Sequence, residues 1–238
     1  DNVPPGSLKL SDITRALVTY ERTLTAPPNA LDRYRAGDRS ALSLAAREGL
    51  VMFRGKADCA SCHLIAGQAA SLTDNQFHSS GVGLAAITPA LAQLASAVAH
   101  MSQAERFEKI VSDPHIAALG RYVVTLNPQD IGKFRTPSLR NVTLTAPYMH
   151  DGSIATLPQA VDIELYYRGL ALGHPILLST VEKRDLLAFL QSLSSVPDQK
   201  STIAFTERAV KPAPVLMRAR VSRVAAGMPS ADHGRRQP

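Results

Sequence analysis

At 238 residues and 25.5 kDa the chain is long enough to bury one substantial core. Its 45% hydrophobic and 19% charged residues exclude an intrinsically disordered polymer, and no apolar run approaches the roughly 20 residues that cross a bilayer. The net charge of +6 is concentrated at the end: residues 207–238 carry +5 and residues 1–206 only +1, so the folded body offers no basic face for nucleic acid.

Taken in chain order, Ile13, Ala16, Leu17, Tyr20 and Leu24 fall at helical spacing, predicting a helix over 12–24 that Pro27-Pro28 closes. A second helix is expected from about Leu42 to Phe53, capped by Ser40 or Ser43 and delivering the chain to Cys59. Residues 56–83 read as loop. From Thr88 to about Val111 a stripe of Leu91, Leu94, Ala95 and Val98 predicts one further helix. Asp113 to Gly152 carries the turn residues of a long irregular segment, the kind that wraps a bound group. Thr156-Leu157-Pro158-Gln159 and Ser179-Thr180-Val181-Glu182 are capping boxes that open two late helices, the second with Leu186, Leu187, Leu190 and Leu193. No strand pattern stands out, and the expectation is an all-α chain: a domain over 1–197 and a basic, flexible tail over 198–238 with helical potential around Val215–Val224.

The only two cysteines stand in Cys59-Ala60-Ser61-Cys62-His63. Cys-x-x-Cys-His is the attachment signature of c-type haem: two thiols add to the vinyl groups of one porphyrin edge, and the adjacent imidazole ligates the iron. A structural zinc site lacks further cysteines to join these three residues, and a thioredoxin-like redox pair lacks its βαβ setting. The remaining histidines, His78, His100, His115, His150, His174 and His233, follow no second Cys-x-x-Cys and read as surface or structural residues. One covalently attached haem c is therefore expected, in a chain matured in the bacterial periplasm; Asp1 follows no recognisable signal peptide.

Several stretches carry a resemblance: ALVTYERTL from Ala16, LDRYRAGD from Leu31, GLVMFRGKADCASCH from Gly49, FRTPSLRNVTLTAPYMHDG from Phe134, and DLLAFLQSL from Asp185. Over residues 8–195, apart from an apparent insertion around 84–112, the chain resembles the C-terminal haem domain of bacterial dihaem cytochrome c peroxidases and their MauG-type relatives. The resemblance implies a cytochrome c-like fold with long irregular loops around the haem. It implies an electron-transferring haem that serves a peroxide-reacting haem on an N-terminal domain, and a small soluble donor such as a cytochrome c or a cupredoxin. On that reading this chain alone is a poor peroxidase; the alternative is a stand-alone monohaem electron carrier.

The resemblance also implies site residues. Cys59 and Cys62 are the attachment points and His63 the proximal ligand. Aligned on Arg168-Gly169 the distal ligand is Tyr166. Counted from His150 without a gap it is Glu164, with Tyr167 adjacent, while Met149 in the PYMHDG segment is the alternative outside the helix. Arg135 and Arg140 are candidates for the haem propionates, and the carbonyls of Thr145 and Pro147 for part of a calcium site at a domain interface. The inter-haem tryptophan of MauG-type members would fall at Ala57, and the chain has no tryptophan.

Overall fold

The computed structural model describes residues 9–23, 26–67 and 70–195. The fold is mostly helical, as the sequence predicts. The tail expected over 198–238 lies outside the described residues.

Helix α1 spans Leu10–Glu21, starting two residues before the expected boundary. Its apolar stripe faces solvent: Leu10 is 79% exposed and Leu17 56%. A short helix α2, Ala30–Arg35, follows Pro27-Pro28; Asn29 caps it by accepting from Asp32 N–H at 3.0 Å. Helix α3, Leu44–Arg54, takes Ser43 as its cap, the hydroxyl accepting from Ala46 N–H at 3.1 Å.

The described residues of 56–83 are loop, as expected, except for a 3-10 turn at Cys59–Ser61 and a two-residue strand β1, Phe77–His78. The expected single helix over 88–111 is in fact broken. Short α4 (Leu84–Ile87) leads to α5 (Leu91–His100), and α6 (Gln103–Ser112) restarts from a capping box of Ser102 and Glu105. Ser102 accepts from Glu105 N–H and Glu105 accepts from Ser102 N–H, which terminates one helix and starts another inside a continuous apolar pattern.

The expected irregular segment 113–152 also contains α7 (Pro114–Ala117), α8 (Tyr122–Thr125) and strand β2 (Phe134–Arg135). β1 and β2 pair antiparallel, Phe77 opposite Arg135 and His78 opposite Phe134. This miniature ribbon is the one departure from an all-helical pattern among the named elements. Helices α9 (Leu157–Leu172) and α10 (Thr180–Ser192) begin at Thr156 and Ser179 with both expected capping boxes formed.

Two apolar clusters result. The larger joins α2, α3, α9 and α10 through Leu31, Leu50, Phe53, Leu165, Leu186, Phe189 and Leu193, with the Phe53 and Phe189 rings 5.0 Å apart. The smaller holds α4 to α8 together around Ile87, Val98, Ile116, Leu119 and Val123. The Tyr122 hydroxyl donates to the Ala95 carbonyl at 2.9 Å within that second cluster.

Helices α3 and α10 meet at Gly49. A Cβ there would lie 1.9 Å from the Asp185 carbonyl oxygen and 2.8 Å from Phe189 Cβ. Gly49→Ala therefore forces backbone apart in the main core, and the expected loss is ~2 kcal/mol or more. Urea unfolding followed by far-ultraviolet circular dichroism measures it, and an unchanged midpoint would refute the close packing of these helices.

Candidate haem-attachment site

Helix α3 ends at Gly55, and the next turns carry Asp58 into the left-handed region at φ 52°. Cys59 to Ser61 form a 3-10 turn from there, which places Cys59, Cys62 and His63 on consecutive parts of one tight bend. Both thiols are half-buried and free. Burial, reinforced by the Glu164 and Asp58 carboxylates, pushes the Cys59 thiol up to about 12. Asp58 is tied in turn to α9: Arg168 Nε donates to it at 2.6 Å.

The imidazole of His63 is held by the backbone. Its Nδ1 lies 2.9 Å from the Leu72 carbonyl oxygen. A carbonyl can only accept, so Nδ1 carries the proton and Nε2 is left as the nitrogen with a lone pair. Leu72 is fully buried and sits at φ 54°, a conformation that L side chains seldom adopt, with its N–H donating to the Leu64 carbonyl at 3.1 Å. Burial lowers the imidazole's proton affinity, while the carbonyls of Leu72 and Pro137 act against that. The ring is thereby kept neutral, the form in which histidine ligates a metal.

Arg140 supports this carbonyl indirectly. Its Nε donates to the Ala70 carbonyl at 2.9 Å, and its Nη2 reaches both carboxylate oxygens of Asp32 at 2.8 Å. Both charges are largely buried. Arg140 thereby supplies the counter-charge that a largely buried Asp32 carboxylate requires. Arg135 is exposed, and its Nη2 donates to Asn75 Oδ1 at 2.5 Å.

The α9 residues separate by helical phase. Glu164 and Arg168, four apart, face the Asp58–Cys59 bend. Tyr167 packs against Gly81, whose missing Cβ would lie 2.3 Å from its ring. Tyr166 points elsewhere: it is 63% exposed and lines a groove of about 540 Å³ with Asp162, Leu170, Pro175 and Leu177. The two tyrosine rings meet edge-on at 5.2 Å. Two residues advance the helix by about 200°, which is why Tyr166 and Glu164 cannot share a face.

Met149 is half-buried with φ 71°, between the bridged residues Tyr148 and Ile154 and the stacked pair of His150 and Phe134, whose rings are 3.8 Å apart. Thr145 and Pro147 lie at the surface on either side of Ala146, whose bond to Pro147 is cis. His100 is satisfied by the Ser96 carbonyl at 2.7 Å.

Glu164 and the pair Asp74–His78 are residues that the reading of the sequence passed over or ranked low. Asp74 and His78 are 2.7 Å apart, Oδ2 to Nε2. Burial works to raise the Asp74 carboxyl, but hydrogen bonds from the Gln76 N–H, His78 and Thr136 outweigh it and hold it at about 2. Their i, i+4 spacing in a non-helical segment left no periodic signal.

Water reaches part of the Glu164 side chain, yet the surrounding protein holds its carboxyl above the usual range through desolvation. Among the described residues it has no hydrogen-bond or ion-pair partner. A carboxyl raised by folding binds its proton more tightly than in the unfolded chain, so the fold loses stability as pH rises from the ordinary Glu range through the raised value. Glu164→Gln in the haem-free chain is expected to raise the urea midpoint at neutral pH and to leave it unchanged at pH values where Glu is protonated in both states. A shift of equal size at all pH values would place the effect in packing instead.

With this geometry in hand, the relatives are informative. No family model matches the chain. Cytochrome-c peroxidase IdrP1 of Pseudomonas sp. (strain SCT) is 38% identical over 199 residues, covering 78% of this chain and 50% of the relative. Methylamine utilization protein MauG of Methylorubrum extorquens is 32% identical over 192 residues, covering 78% and 44%. A solved MauG-like protein associated with microbial copper homeostasis superposes with a TM-score of 0.56 at 27% identity, covering 81% of this chain and 59% of that one. The chain spans about half the length of the curated relatives it matches. By sequence and by fold the chain is similar to about half the length of bacterial cytochrome c peroxidases and of MauG.

Proposed function

We propose that the chain is the electron-transferring c-type haem domain of a dihaem peroxidase or MauG-type oxidoreductase, matching the C-terminal half of such proteins. The observation that carries this reading is the His63 Nδ1 contact to the Leu72 carbonyl beside two free cysteines. It fixes the imidazole tautomer and aim in advance, as proximal metal ligands require.

In this reading Cys59 and Cys62 hold one haem c by thioether bonds and His63 Nε2 is the proximal ligand. The haem, when bound, supplies reversible one-electron chemistry at iron. The chain's own residues set where that electron rests. The Leu72 carbonyl draws on the Nδ1 proton and makes the imidazole a stronger electron donor. Glu164 takes the distal assignment in this reading, because its carboxyl stands on the face of α9 toward Cys59 with no hydrogen-bond or ion-pair partner among the described residues. A carboxylate there stabilises the more positive oxidation state and lowers the reduction potential. Arg135, at the surface, is left as the arginine for a propionate, and calcium at the Thr145 and Pro147 carbonyls belongs to this reading as well.

The proposed partners are a peroxide-reacting haem domain and a small soluble donor protein, a cytochrome c or a cupredoxin, in the periplasm. No helix among the described residues is long and apolar enough to cross a membrane.

The test is expression of the chain with a periplasmic haem-attachment system. The expected product carries one covalent haem, lost in the Cys59→Ser/Cys62→Ser double variant, and reduces peroxide poorly on its own. Tyr166→Phe leaves the ferric spectrum and midpoint potential unchanged, whereas Glu164→Gln changes the spectrum and raises the potential. A chain without covalent haem refutes the proposal, and a spectrum that responds to Tyr166→Phe but not to Glu164→Gln refutes the distal assignment.

A further inference from the structure

Among the described residues, one cluster of metal-ligating side chains outside the proximal contact is left unassigned. The Cys62 sulfur, an Asp74 carboxylate oxygen and a His78 ring nitrogen all lie within 4.8 Å of one another. They come from two segments, the Cys-x-x-Cys-His bend and the loop that enters β1. The cluster mixes sulfur, nitrogen and oxygen, a set that zinc accepts without further cysteines.

The scaffold holds the oxygen and nitrogen in place without an ion. Asp74 Oδ1 accepts from the Gln76 N–H at 2.9 Å, which leaves Oδ2 directed at His78. His78 is anchored by its backbone pairing with Phe134. A tetrahedral ion ~2.0–2.3 Å from each ligand asks for ligand atoms ~3.5 Å apart, so the 2.7 Å Asp74–His78 hydrogen bond opens as the Cys62 sulfur draws in. Three protein ligands leave the fourth position to water.

We propose that the haem-free chain binds one divalent ion of the zinc class through Cys62, Asp74 and His78. The Cys62 thiol gives its proton to solvent and ligates as thiolate. The same sulfur is the one that bonds to haem in the proposed function, so ion and second thioether exclude each other. That exclusion rests on the haem reading; the binding of the ion does not. The site would make divalent metal a competitor of haem maturation at Cys62, with Cys59 untouched.

The experiment uses the full chain produced without haem-attachment machinery and kept reduced by a non-thiol reductant, with Co²⁺ as the optical probe. One cobalt per chain is expected, with a thiolate-to-cobalt charge-transfer band of single-thiolate intensity and displacement by Zn²⁺. Cys62→Ser removes the band. Asp74→Asn and His78→Gln each weaken binding by more than ~10-fold, since even an outer-shell partner contributes that much to affinity. Cys59→Ser leaves band and stoichiometry intact. Absence of cobalt binding, or loss of the band in Cys59→Ser as complete as in Cys62→Ser, overturns the proposal; the latter identifies a Cys-x-x-Cys chelate. The haem-bearing chain is expected to show no band. A chain that binds cobalt but accepts no haem defeats the haem reading alone, and one that accepts haem but binds no cobalt when haem-free defeats the ion alone.

Discussion

Everything in the main core is arranged around the place where α3 and α10 touch without a side chain between them. Gly49 lets the Asp185 carbonyl approach to a distance that no Cβ would allow. The approach seals Phe53 and Phe189 against each other and sets the direction in which α3 ends. That direction fixes the start of the Cys59 bend. Close helix contact thus determines where the reactive residues stand, before any of them makes a contact of its own.

From that frame a second chain of constraints runs through backbone oxygens. Asn29 caps α2 and presents Asp32; Asp32 holds Arg140; Arg140 holds the Ala70 carbonyl; two residues on, the strained Leu72 offers its own carbonyl to His63. Each link is a charge or a dipole that is costly to leave unpaired once buried. The links span more than a hundred residues of sequence, and their product is the orientation of one imidazole. The left-handed conformation of Leu72 is a local cost that the surrounding packing offsets.

Local chemistry made part of this readable in advance. The boxes at Thr156 and Ser179 announce α9 and α10 because both their polar partners lie within four residues. Cys59, Cys62 and His63 form a contiguous motif. The box at Ser102 was equally local, but the apolar stripe on both sides of it favoured one uninterrupted helix. Tyr166 illustrates a different limit. Periodicity says that it and Glu164 occupy opposite faces of α9, yet only the docking of that helix, through Leu165 in the core and Arg168 on Asp58, says which face looks toward Cys59. Likewise no pattern within the sequence pairs Arg140 with an aspartate 108 residues away.

The second apolar cluster has a consequence for how the molecule opens. Helices α4 to α8 bury Ile87, Val98, Leu119 and Val123 against one another rather than against the α3–α10 pair. They meet the rest through Arg121, whose guanidinium lies 3.9 Å from the centre of the Phe77 ring, and through the turn at Gly83, which lies against the His150 ring. A segment with an interior of its own can open as a group. Such an opening would leave the α3–α10 pair in place, and with it the Leu72 carbonyl that holds the imidazole.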